Sequence, residues 1–402
     1  MRIKVVIAYQ VDPFGEKIGG IETFIKNFIK YSPDSFDIAF IGISSNYQSR
    51  RPGQWKKVML GSKEFDFFPL FFEKDENRKK SIPLSLRFTV SLALCMLRNK
   101  LPRGILFFNG IEPIMLFKFM RAPKVLIIHN DIEKIISSES LWSKFSQMYF
   151  IYANFVMKSI DHIYVVNTKA LEFFNKKYFY MRNKFSFLPT MLDEKVYSPM
   201  NDNKTILKNK LIPVHNKLRA NYKWILYVGR LQIQKAPIRA IDSFFEYYIK
   251  NKESSLIIVG DGNLKNMIQL RIKELKLENN ILILGTLTAE VLANLYRASD
   301  LLLLTSDSEG MPIAVLEGLG CGLPVVATNV GEVKRVIKNE FSGEVVDSFL
   351  PFKIGEAIRK VVDHPDTYSK KNCIESVSNY SPSKVLKPLY EDLESFYTRP
   401  KS

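Results

Sequence analysis

The chain has 402 residues, of which 46% are hydrophobic, and it carries a formal net charge of +17. This length predicts more than one domain, and the hydrophobic content is enough to build two cores. Three cysteines, Cys95, Cys321 and Cys373, are too few and too scattered for a disulfide framework or a zinc site, and they suit a reducing cytoplasm.

The positive charge is unevenly distributed along the chain. Residues 1–200 contain 30 Lys and Arg against 18 Asp and Glu, a net charge of +12, whereas residues 201–402 contain 28 against 23, a net charge of +5. A basic first half predicts an anionic partner, such as a phosphate-rich substrate or a membrane surface. A lysine-rich composition is the simpler explanation, but it does not account for the difference between the halves. Because no nucleic-acid-binding motif accompanies the charge, we expect no nucleic acid partner.

The first half offers two further segments that bear on a membrane. Residues 49–80 are basic, aromatic and irregular, and residues 82–101 have the pattern of an amphipathic helix. Both segments suit the headgroup region of a bilayer, and equally a buried helix with a solvated face. The N-terminus is too soon interrupted for a signal peptide, and no run of eighteen apolar residues occurs. We therefore expect a cytoplasmic protein, with peripheral binding to the inner membrane left open.

Short apolar runs alternate with helical segments along the chain, which predicts an α/β fold with parallel sheets. Gly19 and Gly20 follow the first predicted strand, and His129 follows the strand Val125–Ile128, with Asp131 as a weaker candidate beside it. Open parallel sheets bind ligands at the carboxyl ends of their strands. On the residues alone, however, a plain tight turn and a structural histidine are the commoner outcomes.

A cationic loop follows the predicted strand Trp224–Val228. Gly229 frees the end of the strand, and Arg230 and Lys235 lie five positions apart on the same loop. Two cations so placed can hold a diphosphate, although two solvated cations are the commoner outcome.

A strand, a short helix and a second strand are predicted within residues 299–330, which makes a βαβ unit with parallel strands. Glu309 lies in the loop before the helix, and Glu317 lies within the helix. Carboxylates can hold hydroxyl groups, while free N–H groups at the start of a helix can hold an anion, and together these suit a sugar nucleotide. A solvated Glu309 and a Glu317 that reaches solvent remain the alternative that the spacing alone leaves open.

These segments resemble motifs of glycosyltransferase family 4. Glu309–Glu317 is similar to the E-x7-E motif of that family, and residues 229–235 are similar to its GRL-x3-K motif, with Ala236-Pro237 where glycine is commoner. In the first half, residues 19–22 resemble the GG-x-E loop. The resemblance is dense over residues 222–347 and looser over residues 1–199.

The resemblance implies roles for individual residues. Arg230 and Lys235 would hold the diphosphate and neutralise its charge as it leaves, Glu309 would bind the donor sugar, and His129 would face that sugar. Glu317 would bind the ribose hydroxyls. The implied donor-binding positions are Gly19, Gly20, Gly229, Gly260, Gly262, Thr286, Leu287, Gly310, Met311, Pro312 and Glu317. No metal-binding Asp-x-Asp motif is evident, and members of the family generally need no metal and no other cofactor.

The resemblance also implies the GT-B fold, in which two Rossmann-like domains face each other across a cleft. We expect an acceptor-side domain at 1–199, a nucleotide-sugar domain at 200–384, and a last helix within 385–402 that returns to the first domain. Thr190-Met191 replaces the Asn-Gly that the family carries near the boundary, so a ligand contact there is not expected.

The implied activity is that of a retaining glycosyltransferase. It would move a hexose from a nucleotide-diphospho-sugar, with UDP the expected nucleotide and GDP the alternative, to a lipid-linked oligosaccharide in capsule or O-antigen assembly. A nucleotide-sugar epimerase or a phosphorylase on the same fold is one alternative, and a sugar-nucleotide-binding protein without activity is another.

Overall fold

The computed structural model describes residues 2–15, 19–75, 82–98, 101–129, 146–200, 204–211 and 218–398. The chain divides into two compact units: unit 1 comprises Met1–Thr190 with Pro382–Ser402, and unit 2 comprises Met191–Ser381. Asp131 lies outside the described residues.

Unit 1 contains an eight-stranded sheet with the strand order β3-β4-β2-β1-β5-β6-β7-β8. Its neighbouring strands are parallel except β3 and β4, which are antiparallel. The strands are β1 (Ile3–Ala8), β2 (Phe36–Ser44), β3 (Lys56–Leu60), β4 (Lys63–Phe72), β5 (Ile105–Phe108), β6 (Lys124–Ile128), β7 (His162–Val165) and β8 (Phe185–Phe187). The α/β prediction is confirmed.

The β3–β4 hairpin corrects the prediction that residues 49–80 are irregular. Leu60 pairs with Lys63, so a two-residue turn joins the strands, and Gly61 adopts a φ of 63° in that turn. A left-handed backbone of this kind favours glycine. Phe65, Phe67 and Phe68 are buried in the sheet. Three of the aromatic residues that suggested a membrane surface here are therefore core residues, whereas Trp55 and Phe72 are 38% and 39% exposed.

The helices of unit 1 cover both faces of its sheet. They are α1 (Gly20–Tyr31), α2 (Leu84–Arg98), α3 (Ile114–Phe117), α4 (Ser146–Met157), α5 (Thr168–Lys177) and the last helix of the chain, with a 3₁₀ helix at Phe179–Lys184. Helices α2, α3, α4 and α5 share one hydrophobic core with one face of the sheet.

Helix α2 is apolar on both of its sides. Phe88 and Leu92 are buried against the sheet, whereas Leu94 and Leu97 are exposed. The sequence left two alternatives for residues 82–101: a helix at the headgroup region of a bilayer, or a buried helix with a solvated face. Neither describes α2 fully, because its inner side lies in the core and its outer side is not polar.

The last helix of the chain, Pro382–Thr398, packs on unit 1. The ring of Tyr390 lies 5.5 Å from that of Phe28 and 5.3 Å from that of Phe36. The Tyr164 hydroxyl donates a hydrogen bond to Asp392 of this helix. The helix begins three residues before the predicted 385.

Residues 191–199, which we assigned from the sequence to the first domain, belong by their contacts to unit 2. The Leu192 N–H donates to the carbonyl of Tyr380 at 2.8 Å. The Arg297 guanidinium donates to the carbonyls of Val196 and Ser198, each at 2.7 Å. This cation neutralises no acid in those bonds, and it fastens an extended segment to unit 2.

Unit 2 contains a six-stranded sheet, in which all neighbours are parallel, with the order β11-β10-β9-β12-β13-β14. Its strands are β9 (Lys223–Val228), β10 (Ser254–Val259), β11 (Ile281–Gly285), β12 (Leu301–Leu304), β13 (Val325–Thr328) and β14 (Gly343–Val346). Counted from β9, this order is 3-2-1-4-5-6, the Rossmann order.

The helices of unit 2 are α6 (Lys204–Leu211), α7 (Pro237–Tyr248), α8 (Lys265–Glu274), α9 (Ala289–Ala298), α10 (Ile313–Gly320), α11 (Val333–Val336), α12 (Pro351–Asp363) and α13 (Lys370–Ser376); in unit 1 the last helix, Pro382–Thr398, is α14. A 3₁₀ turn at Ile233–Lys235 precedes α7. Among the residues that the structure describes, no helix is both long enough and apolar enough to cross a bilayer.

Candidate functional site

The strand order of unit 2 places one set of loops at a point where ligands bind. Strands β9 and β12 are neighbours, and the chain leaves them in opposite directions across the sheet. The loops after the carboxyl ends of such strands diverge and leave a crevice between them. The loop after β9 carries Arg230 and Lys235, and the loop after β12 carries Glu309. The three residues to which the resemblance gives the diphosphate and the donor sugar are therefore on these two loops.

Two of those residues are in direct contact. The Lys235 Nζ lies 2.5 Å from Oε1 of Glu309, and the same oxygen accepts a hydrogen bond from the Ser306 hydroxyl at 2.6 Å. The side chains of Lys235 and Glu309 are 20% and 7% exposed. A cation and a carboxylate held this close and this dry fix each other's positions.

The two loops are also joined through their backbones and polar side chains. The Asp307 N–H donates to the Gln234 carbonyl at 2.8 Å, and the Gln234 amide donates to the Ser308 carbonyl at 2.6 Å. Arg239 donates to the Thr305 carbonyl and to the Asp307 carboxylate, each at 2.7 Å. These hydrogen bonds hold the loop after β12 against the loop after β9, and so they fix the backbone positions of Lys235 and Glu309.

Glycines allow the loops after β9 and β10 to interlock. A side chain on Gly260, which has a φ of 135°, would place its Cβ 1.9 Å from the Gly229 carbonyl oxygen. A Cβ on Gly262 would lie 2.4 Å from the Leu231 carbonyl oxygen. Gly260 and Gly262 are thus required by backbone packing here, whether or not they also contact a ligand.

The segment Gly310–Pro312 leads from the β12 loop into helix α10. Pro312 is the residue just before the helix, and Met311 is buried. The Gly310 carbonyl accepts a hydrogen bond from the Glu332 N–H at 2.9 Å. A Cβ on Gly331 would lie 2.2 Å from the carbonyl oxygens of Glu309 and Gly310. The loop after β13 therefore supports this segment from one side.

Glu317 lies within helix α10 and faces two tyrosines. The Tyr296 hydroxyl donates to its Oε2 at 3.0 Å, and the Tyr197 hydroxyl also hydrogen-bonds to it. Burial raises the pKa of Glu317 to about 7, because the charged form loses its hydration, and the tyrosine hydrogen bonds offset this only in part. The predicted carboxylate thus has the donors that its position requires.

The remaining predicted positions of unit 2 are more open. Arg230 is exposed, and the described part of the chain offers its guanidinium no ion pair or hydrogen bond. Thr286 is exposed and Leu287 partly so, directly after β11. Where the chain is described, no three His, Cys, Asp or Glu side chains are grouped so as to hold a metal ion.

In unit 1 the corresponding reversal of strand order lies between β1 and β5. Asn109 directly follows β5, and His129 follows the adjacent strand β6. The His129 Nε2 lies 2.9 Å from Oδ1 of Asn109, and the ring packs edge-on against Phe24 of α1, with centroids 5.1 Å apart. A histidine that donates from Nε2 to this amide oxygen keeps Nδ1 as an acceptor.

Gly19 and Gly20 begin helix α1, the helix that carries Phe24. Gly19 precedes the first helical residue, and a Cβ there would lie 2.3 Å from Oε2 of Glu22. The glycine thus makes room for the buried Glu22 carboxylate. Helix α1 therefore connects the two predicted sites of unit 1: Gly19 and Gly20 lie at its start, and His129 packs against its Phe24.

Sequence reasoning missed three residues that hold the predicted ones. Asn109, Tyr197 and Tyr296 were not selected, although each hydrogen-bonds to a predicted site residue. Asn109 had a usable signal, because it directly follows a predicted strand next to that of His129. Tyr197 and Tyr296 had none, because each is far from Glu317 in sequence.

Comparisons with known proteins agree with this architecture. Residues 209–378 match the family described as "Glycosyl transferases group 1". Over 234 residues the chain is 30% identical to a UDP-Gal:alpha-D-GlcNAc-diphosphoundecaprenol alpha-1,3-galactosyltransferase from Escherichia coli, covering 56% of this chain and 57% of that protein. These matches agree with the resemblance to glycosyltransferases, and the chain spans about half the length of the curated relatives it matches.

Solved structures are similar over nearly the whole chain. Sucrose-phosphate synthase from Thermosynechococcus elongatus superposes with a TM-score of 0.77 at 15% identity, covering 98% of this chain and 100% of that one. Alr3699/HepE from Anabaena, solved in complex with UDP-glucose, gives a TM-score of 0.71 at 15% identity, covering 98% and 100%. These likenesses confirm the two-domain GT-B fold.

We expect His129 to stay uncharged at neutral and mildly acidic pH. Burial lowers the pKa of His129 to about 3, because the protonated ring would lose its hydration. A ¹⁵N NMR titration should show its ring neutral from pH 8 down to pH 5, with the proton on Nε2. In Asn109→Ala the proton should redistribute between the nitrogens. A ring that titrates near pH 6.5 in the native protein would contradict this environment.

We expect Glu317 to make stability depend on pH. Since its pKa is about 7 in the folded chain and near 4.5 when unfolded, folding is favoured by the protonated form. The favourable contribution of Glu317 to the free energy of unfolding is fully present below pH 4.5 and is lost as the pH rises to about 7. The loss is about 1.4 kcal/mol for each unit by which the two pKa values differ.

Urea unfolding at pH 5 and pH 8 measures this. Glu317→Gln cannot ionise. The free energy of unfolding of this variant, compared with that of the native chain, should therefore be more favourable at pH 8 than at pH 5. Glu356→Gln, at an exposed position of α12, is the matched control and should show no such gain. A Glu317→Gln difference that is equal at both pH values would rule out the raised pKa.

Proposed function

We propose that the protein is a glycosyltransferase that moves a hexose from a nucleotide-diphospho-sugar to a lipid-linked acceptor. The observation that carries this proposal is the contact between Lys235 and Glu309 on the two loops that diverge from β9 and β12. It places a cation for a diphosphate beside a carboxylate for sugar hydroxyls, in the part of the chain that matches the family.

The donor is divided between two groups of residues in this proposal. Arg230 and Lys235 bind the diphosphate, and Glu309 with the backbone of Gly310 and Met311 binds the sugar. Glu317 binds the ribose hydroxyls, with Tyr296 orienting its carboxylate. His129 in unit 1 is uncharged, so it can accept or donate a hydrogen bond to a sugar hydroxyl without placing a charge there.

UDP is the proposed nucleotide. The Escherichia coli relative is named as using UDP-galactose, and the Anabaena protein was solved with UDP-glucose. GDP remains the alternative, because no side chain of this chain has been assigned to the base.

We propose substitution with retention at the anomeric carbon. The bond from the sugar carbon to the diphosphate oxygen breaks, and its electron pair leaves with the diphosphate, where Arg230 and Lys235 neutralise the added charge. The acceptor hydroxyl bonds to the same face of that carbon and gives its proton to the departing phosphate oxygen. No enzyme carboxylate acts as a nucleophile, and the cations need no metal to assist them.

The acceptor is proposed to be a lipid-linked sugar in capsule or O-antigen assembly. The support is the Escherichia coli relative, whose name specifies a sugar on diphosphoundecaprenol. Such an acceptor is anchored in a bilayer, so the protein would work peripherally at the cytoplasmic face of the inner membrane. The net charge of +12 over residues 1–200 suits an anionic surface.

Two other functions use the same residues. An epimerase or a phosphorylase would turn over the donor or a glucan without a separate acceptor, and a binding protein would hold the donor unchanged. Product analysis with and without an acceptor separates all three.

A nucleotide sugar should raise the thermal unfolding midpoint, because a ligand that binds only the folded chain stabilises it. We expect one of the UDP-, GDP- or TDP-sugars to do so, and UDP-sugars in particular. Arg230→Ala should abolish most of the shift. Lys273→Ala, an exposed cation in the last turn of α8, should keep it. Equal shifts in both variants would remove Arg230 from the site.

Replacing Lys235 by alanine should lower turnover by about 10²–10³-fold, the cost of losing one donor that stabilises a developing negative charge. Lys360→Ala, which removes a cation that pairs with Glu340 at 3.0 Å, is the matched control and should retain turnover. Assays with EDTA should give the same rates for the native protein. Unchanged turnover in Lys235→Ala would refute its role, and loss of turnover in EDTA would refute metal independence.

A further inference from the structure

Helix α4 of unit 1 exposes an apolar stripe. Met148, Ile151 and Phe155 are 62%, 71% and 46% exposed, and their spacing of three and four places them on one side of the helix. The twelve residues of α4 include no charged side chain. The opposite side of α4 is buried in the core of unit 1, so two sides of this helix carry apolar side chains. Helices of that kind are normally covered on both sides.

Neighbouring segments extend the stripe into a larger surface. The Lys118 ammonium lies over the Phe155 ring, and Phe119 beside it is 82% exposed. On the other side of α4, the Tyr180 hydroxyl bonds to Asn154, and Phe179 is 64% exposed. We define the apolar face by six side chains: Phe119, Met148, Ile151, Phe155, Phe179 and Tyr180.

The charge around the apolar face is strongly positive. Residues 114–121 and 146–184 contain Asp161 and Glu172 as their only acids, against eight Lys and Arg: Lys118, Arg121, Lys158, Lys169, Lys176, Lys177, Arg182 and Lys184. Several of these cations lie over the exposed rings, with Arg182 4.6 Å from the centroid of Phe179 and Lys158 5.7 Å from that of Tyr180. Long cationic side chains arranged along an apolar surface can reach a charged headgroup layer.

We propose that the apolar face docks unit 1 on an anionic lipid bilayer. Its apolar side chains enter the boundary between headgroups and acyl chains, and the cations around them contact anionic headgroups. This inference deepens the proposed function and rests on it only for the lipid-linked acceptor. It assigns membrane contact to α4 and its neighbours, and not to residues 49–80, where Phe65, Phe67 and Phe68 are buried.

A bilayer fits this face better than a second copy of the chain does. Two copies joined by a two-fold axis would bring the same surface together on both sides. The cations that lie over the rings of this face, Lys118, Lys158 and Arg182, would then approach their counterparts across an apolar contact, and like charges across an interface disfavour it.

A second exposed stripe lies on the same side of the sheet. Leu86, Val90, Leu94 and Leu97 of α2 are each at least 50% exposed, at a helical spacing of three or four. Helices α2 and α4 share the core on that side. The outer surface of this helical layer thus carries exposed apolar side chains at more than one helix, which suits a broad, flat partner.

Vesicle sedimentation tests the proposal with the full chain. The vesicles consist of phosphatidylcholine, with or without about 40% phosphatidylglycerol, and each kind is tested at low and at high salt. The native protein should bind the anionic vesicles at low salt and the neutral ones far more weakly. Ile151→Ser/Phe155→Ser should lower the partition coefficient about tenfold or more. Lys158→Glu/Arg182→Glu should lower it and reduce its salt dependence.

The matched control lies in unit 2. Met267 and Leu270 on α8 are 56% and 62% exposed and three residues apart, so Met267→Ser/Leu270→Ser removes a similar exposed apolar area elsewhere. This variant should bind vesicles like the native protein. Equal binding by the α4 variant and the control variant, or no native binding to anionic vesicles, would overturn the proposal. So would a native dimer in gel filtration that the α4 variant converts to a monomer.

The thermal shift with nucleotide sugars keeps this outcome separate from that of the proposed function. An α4 variant that loses vesicle binding but keeps its nucleotide shift and its unfolding midpoint supports the docking face. Vesicle binding through α4 with no shift for any nucleotide sugar leaves the docking face standing and removes the proposed function. An α4 variant whose midpoint falls without ligand is replaced by Ile151→Gln, which keeps a helix-forming side chain.

Discussion

The reversal of strand order between β9 and β12 is the constraint on which the candidate site depends. Neighbouring parallel strands that send their connections to opposite faces cannot have their loops packed against each other along their whole length. The chain fills part of that gap with hydrogen bonds between Gln234, Asp307 and Ser308. What remains at the edge is the Lys235–Glu309 pair, in which the cation and the anion are each other's partner.

That ion pair also explains why the site can be stable without a ligand. A buried lysine or glutamate alone would be costly, whereas the two together with Ser306 satisfy one carboxylate oxygen and the ammonium at once. In the proposed function, a diphosphate would take the place of the Glu309 carboxylate beside Lys235, and sugar hydroxyls would take the place of the ammonium beside Glu309. Binding would then be an exchange of partners.

Much of the fold followed from local patterns, and most of its failures have a physical cause. Strands such as Leu301–Leu304 and Val325–Thr328 are short apolar runs bounded by polar turns, so their periodicity is clear. The β3–β4 hairpin was missed because an aromatic run with Pro69 does not alternate in the usual way, and the Gly61 turn was its best signal.

The site was predictable in its residues and not in its contacts. Lys235 and Glu309 were selected separately on motif and spacing, but their contact spans 74 positions and depends on which strands are neighbours. Tyr197 and Tyr296 reach Glu317 from a connecting segment and from another helix, which no local pattern encodes. The same reasoning explains Asn109, whose partner is set by the adjacency of β5 and β6.

The return of α14 to unit 1 has a consequence for how the protein is made. Unit 2 is an insertion in the chain of unit 1, with its two ends joined where Leu192 donates to Tyr380. Unit 1 therefore cannot be completed until α14, which is made after unit 2, has left the ribosome. Until then Phe28 and Phe36 lack the ring of Tyr390 that covers them. Unit 2 can close first, so the later-made half of this protein is free to fold before the earlier one is finished.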